Sequence, residues 1–256
     1  MKTMHKNVFI DSWILFKRSM LISTRNPETM IMAFVTPFFL MFLFGAVFGN
    51  IADVGDFSYI NFIVPGIILQ SVGQSSQFSA ISVTNDMAKG MVDRFRSMPI
   101  SKAAVLIAHI LASVVKNIIT AAVIIGTAFL IGFRPTAGAA GWLVAIGVLL
   151  LAIITLSVIS VLVGLVARTP ESSSGIMFPL FILPFVSSGF APTEVLPGWL
   201  RWFATHQPMS PIIDSTRGLL FDIPVGNSLW LAVAWCVGIA AVAFITAVRV
   251  FKGKLV

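Results

Sequence analysis

Asn85–Lys102, NDMAKGMVDRFRSMPISK, is the densest interior group of charges in a chain that is only 11% charged. Its residue types suit a handle for a partner better than a reaction centre. Asp86 falls in the first turn of a helix that Thr84 or Asn85 can cap and Pro99 ends. Met87, Met91 and Phe95 recur every fourth residue as one apolar stripe, roughly continued by Met98. Lys89, Asp93, Arg94 and Arg96 lie on other faces. A Met/Phe stripe can fill a groove on a partner, where unbranched Met adapts to the surface it meets. The alternative is a basic helix lying on anionic lipid through Arg94, Arg96 and Lys102.

A second polar group has no charge. Gln70, Gln74 and Gln77 follow i, i+4, i+7 spacing with Ser75 and Ser76 among them, and Thr155, Ser157 and Ser160 form a smaller set further on. Such amides and hydroxyls glue helices together inside a membrane, or line a path for an amphipathic molecule. His109 and Lys116 are isolated in an apolar run. His109 reads as a packing or interface residue. Lys116 either snorkels to the nearer interface or serves a polar pathway.

Several chemistries have no residues to carry them. The sequence has no G-x-x-x-x-G-K-[ST] phosphate loop, so the chain is not expected to hydrolyse ATP itself. It has no H-E-x-x-H, and His5, His109 and His206 are scattered. It has no G-x-S-x-G elbow. Cys236 is the single cysteine, which excludes an intramolecular disulfide and a cysteine metal cluster. No metal or other cofactor is expected on this chain, and no catalytic residue.

The elements that hold these groups belong in a bilayer. The chain is 57% hydrophobic, whereas a soluble domain of this length is about 25% charged. Six apolar runs are long enough to cross: Met30–Phe48, Tyr59–Val83, Val105–Phe133, Trp142–Ala167, a short Ser174–Phe190 broken by Pro179 and Pro184, and Ser228–Val248. The runs are continuous rather than alternating, which favours helices over a barrel. With both ends in the cytosol, the inner segments hold Lys2, Lys6, Lys17, Arg18, Arg25, Lys89, Arg94, Arg96, Lys102, Arg168, Arg249, Lys252 and Lys254. The outer ones hold Arg134, Arg201 and Arg217, and Lys116 lies within a span. This asymmetry orients the chain. All ten acids fall at or beyond the span ends, so the spans lack the carboxylate that H⁺ or Na⁺ coupling uses. Energy is expected from outside the chain. The basic residues form no stripe with interleaved aromatics, so no nucleic-acid partner is expected.

Two further segments stand apart. Residues 5–24 read as an amphipathic helix on the membrane face, with Val8, Phe9, Trp13, Phe16 and Met20 at helical spacing and no signal-peptide cleavage site; a flexible cytosolic tail is the alternative. Residues 191–227 read as two short outer helices, interfacial or re-entrant, the first after Pro197 and the second around Asp214 and Arg217. Trp199 and Trp202 suit headgroup level.

These residues resemble a family. Asn85-Asp86-Met87-(x2)-Gly90 with Arg94-(x4)-Pro99-Ile100-Ser101, Ser188-Gly189-Phe190-(x)-Pro192-(x3)-Leu196-Pro197-(x)-Trp199-Leu200, and Gln207-Pro208-Met209-Ser210 with Asp214-(x2)-Arg217-Gly218-Leu219 are similar to the membrane subunits of type-2 ABC exporters, in the daunorubicin-resistance branch. Asp86 stands where relatives often carry Glu, which keeps the charge. The resemblance covers essentially the whole chain. It implies an all-α membrane permease domain over 1–256. The domain would have six transmembrane helices, a cytosolic connector helix in 1–28 (Phe9, Trp13, Phe16), a coupling loop in 84–102 (Asp86, Met87, Gly90, Met91, Arg94, Phe95, Pro99) and outer helices in 191–227. It further implies two copies of a separate ATPase carrying ATP and Mg²⁺, a second permease copy, and residence in a bacterial inner membrane. Gln70, Gln74 and Gln77 are then candidates for the path of an amphipathic drug or lipid. A permease for lipid-linked polysaccharide, an ATP-independent channel or scramblase, and a non-transporting scaffold or sensor are the competing readings.

Overall fold

In a bilayer, apolar side chains are solvated by lipid and polar ones are not, so the most polar long helix belongs in the middle. That is the arrangement found. The computed structural model of the chain describes residues 8–24, 27–48, 58–89 and 102–254. The α-helices are α1 (Val8–Thr24), α2 (Pro27–Phe48), α3 (Tyr59–Ala88), α4 (Lys102–Ile131), α5 (Ala139–Val166), α6 (Pro170–Ile182), α7 (Gly198–His206), α8 (Met209–Leu220) and α9 (Ser228–Lys254). Short 3₁₀ turns occupy Leu183–Val186 and Thr193–Val195. No strand occurs among the described residues. Helix α3, with its Ser and Gln, packs against α2, α4, α5, α6 and α8. Its buried side includes Gln70, Ser71, Ser75, Ser76, Ser79 and Thr84. The wholly apolar helices present their bulk outward: Phe38, Phe39 and Phe42 of α2 and Trp235, Val242 and Phe244 of α9 are exposed.

Three helices combine the length and hydropathy needed to cross: Ala104–Ile131, Ala139–Val166 and Ser228–Gly253. Val35–Val47 in α2 is a shorter apolar helix. The polar residues of α3 keep it out of that group in spite of its 30 residues, and α6 has only 13. The run Ser174–Phe190 does not break at Pro179. Helix α6 continues through it, and the Gly175 carbonyl loses its helical donor there. The change to 3₁₀ geometry comes at Leu183 and Pro184.

The expected cap before Asp86 is absent. Helix α3 runs unbroken to Ala88, with Lys89 as its C-cap, so Asp86 sits in a last turn rather than a first. Thr84 is interior, and its hydroxyl donates to Ala80 O at 3.0 Å and Gly164 O at 3.2 Å. Residues 84–88 therefore belong to the span helix. Gly90, Met91, Arg94, Phe95 and Pro99 lie outside the described residues.

Chain direction alternates from α3 to α6, which gives the bundle two distinct ends. One end gathers Leu15, Val83, Met87, Val105, Leu165 and Phe251 into one apolar cluster. The other holds Tyr59, Phe133, Phe190 and Phe221. At that end α4 stops at Gly132, which takes φ +117°. The Arg134 guanidinium closes the stop, donating to Phe129 O at 2.7 Å and Phe133 O at 2.8 Å. At the opposite end α6 begins in a reciprocal cap between Thr169 and Ser172 behind Pro170.

Helices α3 and α5 meet backbone to backbone at Gly164, where an added Cβ would stand 2.5 Å from Val83 Cβ and 2.8 Å from Ala80 O. Gly164→Ala is expected to force the pair apart at a cost of about 1–3 kcal/mol, the range for overpacking a close contact. A lowered melting temperature of the detergent-purified chain checks this; an unchanged one would mean that α5 shifts freely.

Candidate functional site

The carboxylate of Asp86 occupies the junction of three helices. Arg18 Nη2 of α1 lies 3.7 Å from Asp86 Oδ1, and His109 Nε2 of α4 lies 3.8 Å from Oδ2. The apolar cluster of Leu15, Met87, Val105 and Phe251 lies under this junction and seats all three helices. Ser12 adds a hydrogen bond from α1 to Ala104 O at 3.4 Å. Helix α1 therefore docks on α4 through Ser12 and Leu15. The predicted connector stripe faces away from the bundle: Phe9 is 82% and Trp13 52% exposed. Phe16 stacks on Trp13 at 5.3 Å, and Lys17 Nζ sits 5.5 Å over the indole. This outward aromatic face suits a bilayer interface. Met87 packs inward, so the first residue of the predicted docking stripe is part of the bundle's own packing.

A polar seam runs inward from this junction. His109, Ser113, Asn117 and Thr120 follow one face of α4 at i, i+4, i+8 and i+11, a periodicity visible in the sequence though no function was read from it. Asn117 Nδ2 donates to Ser76 Oγ of α3 at 2.9 Å and to Ser157 Oγ of α5 at 3.0 Å, joining three helices through one amide. Ser113 and Ser160 hydroxyls meet at 3.3 Å. Of the three glutamines, Gln77 Nε2 donates to Ser174 Oγ at 2.7 Å and Ser174 O at 3.1 Å, tying α3 to α6. Gln70 is completely buried, accepts from Ser71 Oγ at 3.2 Å and leaves its Nε2 without a partner among the described residues. Gln74 Oε1, one helical turn further on, is also buried and unpartnered there.

At the far end of α3 the arrangement rests on Arg217, which the sequence offered only as an outer-loop charge and as part of a family motif. Its guanidinium donates from Nε and Nη2 to Phe62 O at 3.2 and 3.0 Å, from Nη2 to Ser188 O at 2.6 Å and from Nη1 to Asp214 Oδ1 at 3.2 Å. Its Cζ lies 3.7 Å over the Phe62 ring. Tyr59 donates to Phe190 O at 2.9 Å, a second tie between α3 and the same turn.

A helical bundle with exposed apolar helices, an outward aromatic face on α1 and a charged junction at one end fits a membrane protein. The family described as ABC-2 type transporter matches residues 11–221. The chain belongs to the ABC-2 type transporter family. Among its relatives, the daunorubicin resistance ABC transporter permease protein DrrB1 of Streptomyces coeruleorubidus is 28% identical over 238 residues, 93% of this chain and 84% of that protein. The probable doxorubicin resistance ABC transporter permease protein DrrC of Mycobacterium tuberculosis is 31% identical over 223 residues, 85% of this chain and 79% of that one. The putative transport permease ycf38 of Cyanophora paradoxa is 25% identical over 225 residues, 86% and 75% respectively. The ABC-2 match begins within α1 and ends just after α8, so it includes both the Asp86 junction and the Arg217 brace. Membership implies a partner ATPase subunit.

Asp86→Asn removes the ion pair to Arg18 while leaving an amide beside His109. A pair that is part-exposed on the arginine side is worth about 0.2–1 kcal/mol. Amide hydrogen exchange in residues 8–24 of this ABC-2 permease is expected to rise a few-fold, with α5 unchanged. Equal exchange in α1 would show that the Arg18–Asp86 pair does not hold it.

Proposed function

We propose that this chain forms the translocation path of an ATP-driven exporter of amphipathic molecules, a drug or a lipid, in a bacterial plasma membrane. Two copies of the permease meet two copies of a separate ATPase, which carries the ATP and Mg²⁺. The observation that carries this reading is the Arg18–Asp86–His109 junction. One carboxylate at the end of α3 touches α1 and α4, so a push on α1 or on the segment after α3 reaches two long helices together. In this reading Asp86, Met87, Gly90, Met91, Arg94, Phe95 and Pro99 form the coupling segment, and Phe9, Trp13 and Phe16 belong to the connector helix. Met87 serves by anchoring the segment's base in the bundle, and Met91 and Phe95 meet the ATPase.

Six spans with both termini in the cytosol fit this scheme. Helix α3 at 30 residues is about 45 Å long at 1.5 Å per residue, enough to cross alongside the three strongly apolar helices. Helix α2 and the α6–3₁₀ unit supply the remaining crossings. Lys89 and Arg168 follow the ends of α3 and α5, and Lys252 and Lys254 lie in the last turn of α9, at the same end of the bundle as Arg18, where the positive-inside bias places the cytosol. The names of the DrrB1 and DrrC relatives, as daunorubicin and doxorubicin resistance permeases, support a drug-like cargo. So do the unpartnered amides of Gln70 and Gln74, which stand one turn apart on α3. Rigid-body motion of α6 away from α3 uncovers them, with Gln77 at the inner limit of the opening.

Asp86→Lys reverses the charge at the junction and is expected to abolish substrate-stimulated ATP turnover of the co-expressed complex while the chain still inserts. Normal stimulation would sink the coupling role. Gln70→Leu with Gln74→Leu is expected to change drug resistance of expressing cells severalfold without loss of assembly. Unchanged resistance would remove these amides from the path.

A further inference from the structure

The brace around Arg217 is more than a packing contact, because of what it grips. Pro65 lies inside α3 and has no N–H, so the carbonyl of Asn61 receives no helical donor and the helix is weakened where the brace attaches. One turn before the proline-glycine pair, Phe62 O accepts both Nε and Nη2 of Arg217. Beside it, Gly66 of α3 and Gly189 of the 187–190 turn meet backbone to backbone. A Cβ on Gly66 would stand 2.7 Å from Gly189 O, and Gly189 lies against Gly66 Cα in return. A contact with no side chains between the two backbones has no intermediate packing; it is closed or parted. Arg217 spans this contact, with Phe62 O on one side and Ser188 O on the other, and is itself held by Asp214 from its own helix. It is the buried cation of that end, 9% exposed, and its fork satisfies carbonyls that a lysine could take only singly. Asp86 lies 24 residues further along the same helix, about 36 Å at 1.5 Å per residue. Force received at one end of α3 arrives at this brace at the other.

We propose that Arg217 is the latch of the outer end, a positioning residue that holds α8 and the 187–190 turn on the Pro65 turn of α3 and releases those two carbonyls when the exit opens. The proposal rests on the exporter reading for the moment of its release, though not for the closed state. The latch works against parting of the Gly66–Gly189 contact. Its strength is that of a delocalised cation shared between two backbone carbonyls and one aromatic face, so it resists opening without a covalent tie or a large side-chain plug.

The test uses Ser188→Cys as reporter and native Cys236, buried on α9, as internal control. Proteoliposomes containing the permease are treated with a membrane-impermeant maleimide, and each cysteine is quantified by mass spectrometry. With Arg217 present, the reporter is expected to label slowly. With Arg217→Lys, it is expected to label roughly tenfold faster or more, the shift that loss of one hydrogen bond to a charged group brings. Phe62→Leu keeps the carbonyls, loses the aromatic face and is expected to fall between. Cys236 stays unlabelled throughout. Equal reporter labelling in the Arg217 and Lys chains overturns the latch, and so does labelling of Cys236 along with the reporter, which would mark general loosening. In the complex with its co-expressed ATPase, adding ATP is expected to speed reporter labelling in the Arg217 chain. In the Arg217→Lys chain the rate is already high and ATP-insensitive, and the ratio of substrate-stimulated to basal ATP turnover falls. ATP turnover without any ATP-dependent labelling overturns the latch. Failure of an ATPase to co-purify overturns the exporter reading instead and leaves the comparison in the permease alone intact.

Discussion

Helix α3 cannot face lipid. Its Ser76, Gln77 and Thr84 take hydrogen-bond partners from neighbouring helices, and in hydrocarbon an unmet polar group costs several kcal/mol. The other helices are therefore arranged around it. Asn117 of α4 reaches Ser76, Ser174 of α6 receives Gln77, and the Gly164 carbonyl of α5 accepts Thr84. The apolar α4 and α9, with the exposed phenylalanines of α2, face outward, while most of α5 is buried in the bundle. The hydrophobic order of a soluble protein is inverted, with the most polar long helix at the centre.

The same helix carries different chemistry at its two ends. At one, a carboxylate bridges Arg18 and His109 beside a partly exposed surface, so the link is adjustable. At the other, a buried guanidinium is spent on backbone carbonyls and an aromatic ring, through charge-assisted hydrogen bonds of fixed geometry. Between them Asn117 fixes α3 to α4 and α5 near its middle. Helix α3 is thus held by an amide near its centre, an ion pair at one end and a carbonyl clamp at the other.

Much of this was legible in advance. Continuous apolar runs announce helices, and the bounds of α4, α5 and α9 follow them within a few residues. The two short outer helices were readable from Pro197 and from the spacing of Ile212, Ile213, Leu219 and Leu220, and they appear as α7 and α8. The inner cap was misread because Asn85 and Asp86 look like a helix start, while the packing of Thr84 on Gly164 carries α3 through them. Local capping preference is worth about 1 kcal/mol and yields to such tertiary contacts. Of the stripe Met87–Met91–Phe95, which reads as a docking face for a partner or for lipid, Met87 packs against the bundle's own apolar cluster.

By itself, the sequence determined composition, helical class, the asymmetric placement of its cations and the motifs that carry the family. These are properties of residues and their near neighbours along the chain. Only the tertiary structure decided which polar groups are paired, which amides of Gln70 and Gln74 are left over, and that Arg217 joins α3 to the 187–190 turn. Those facts depend on groups up to 155 positions apart meeting within hydrogen-bond distance, and periodicity along one helix carries no information about which other helix will lie against it.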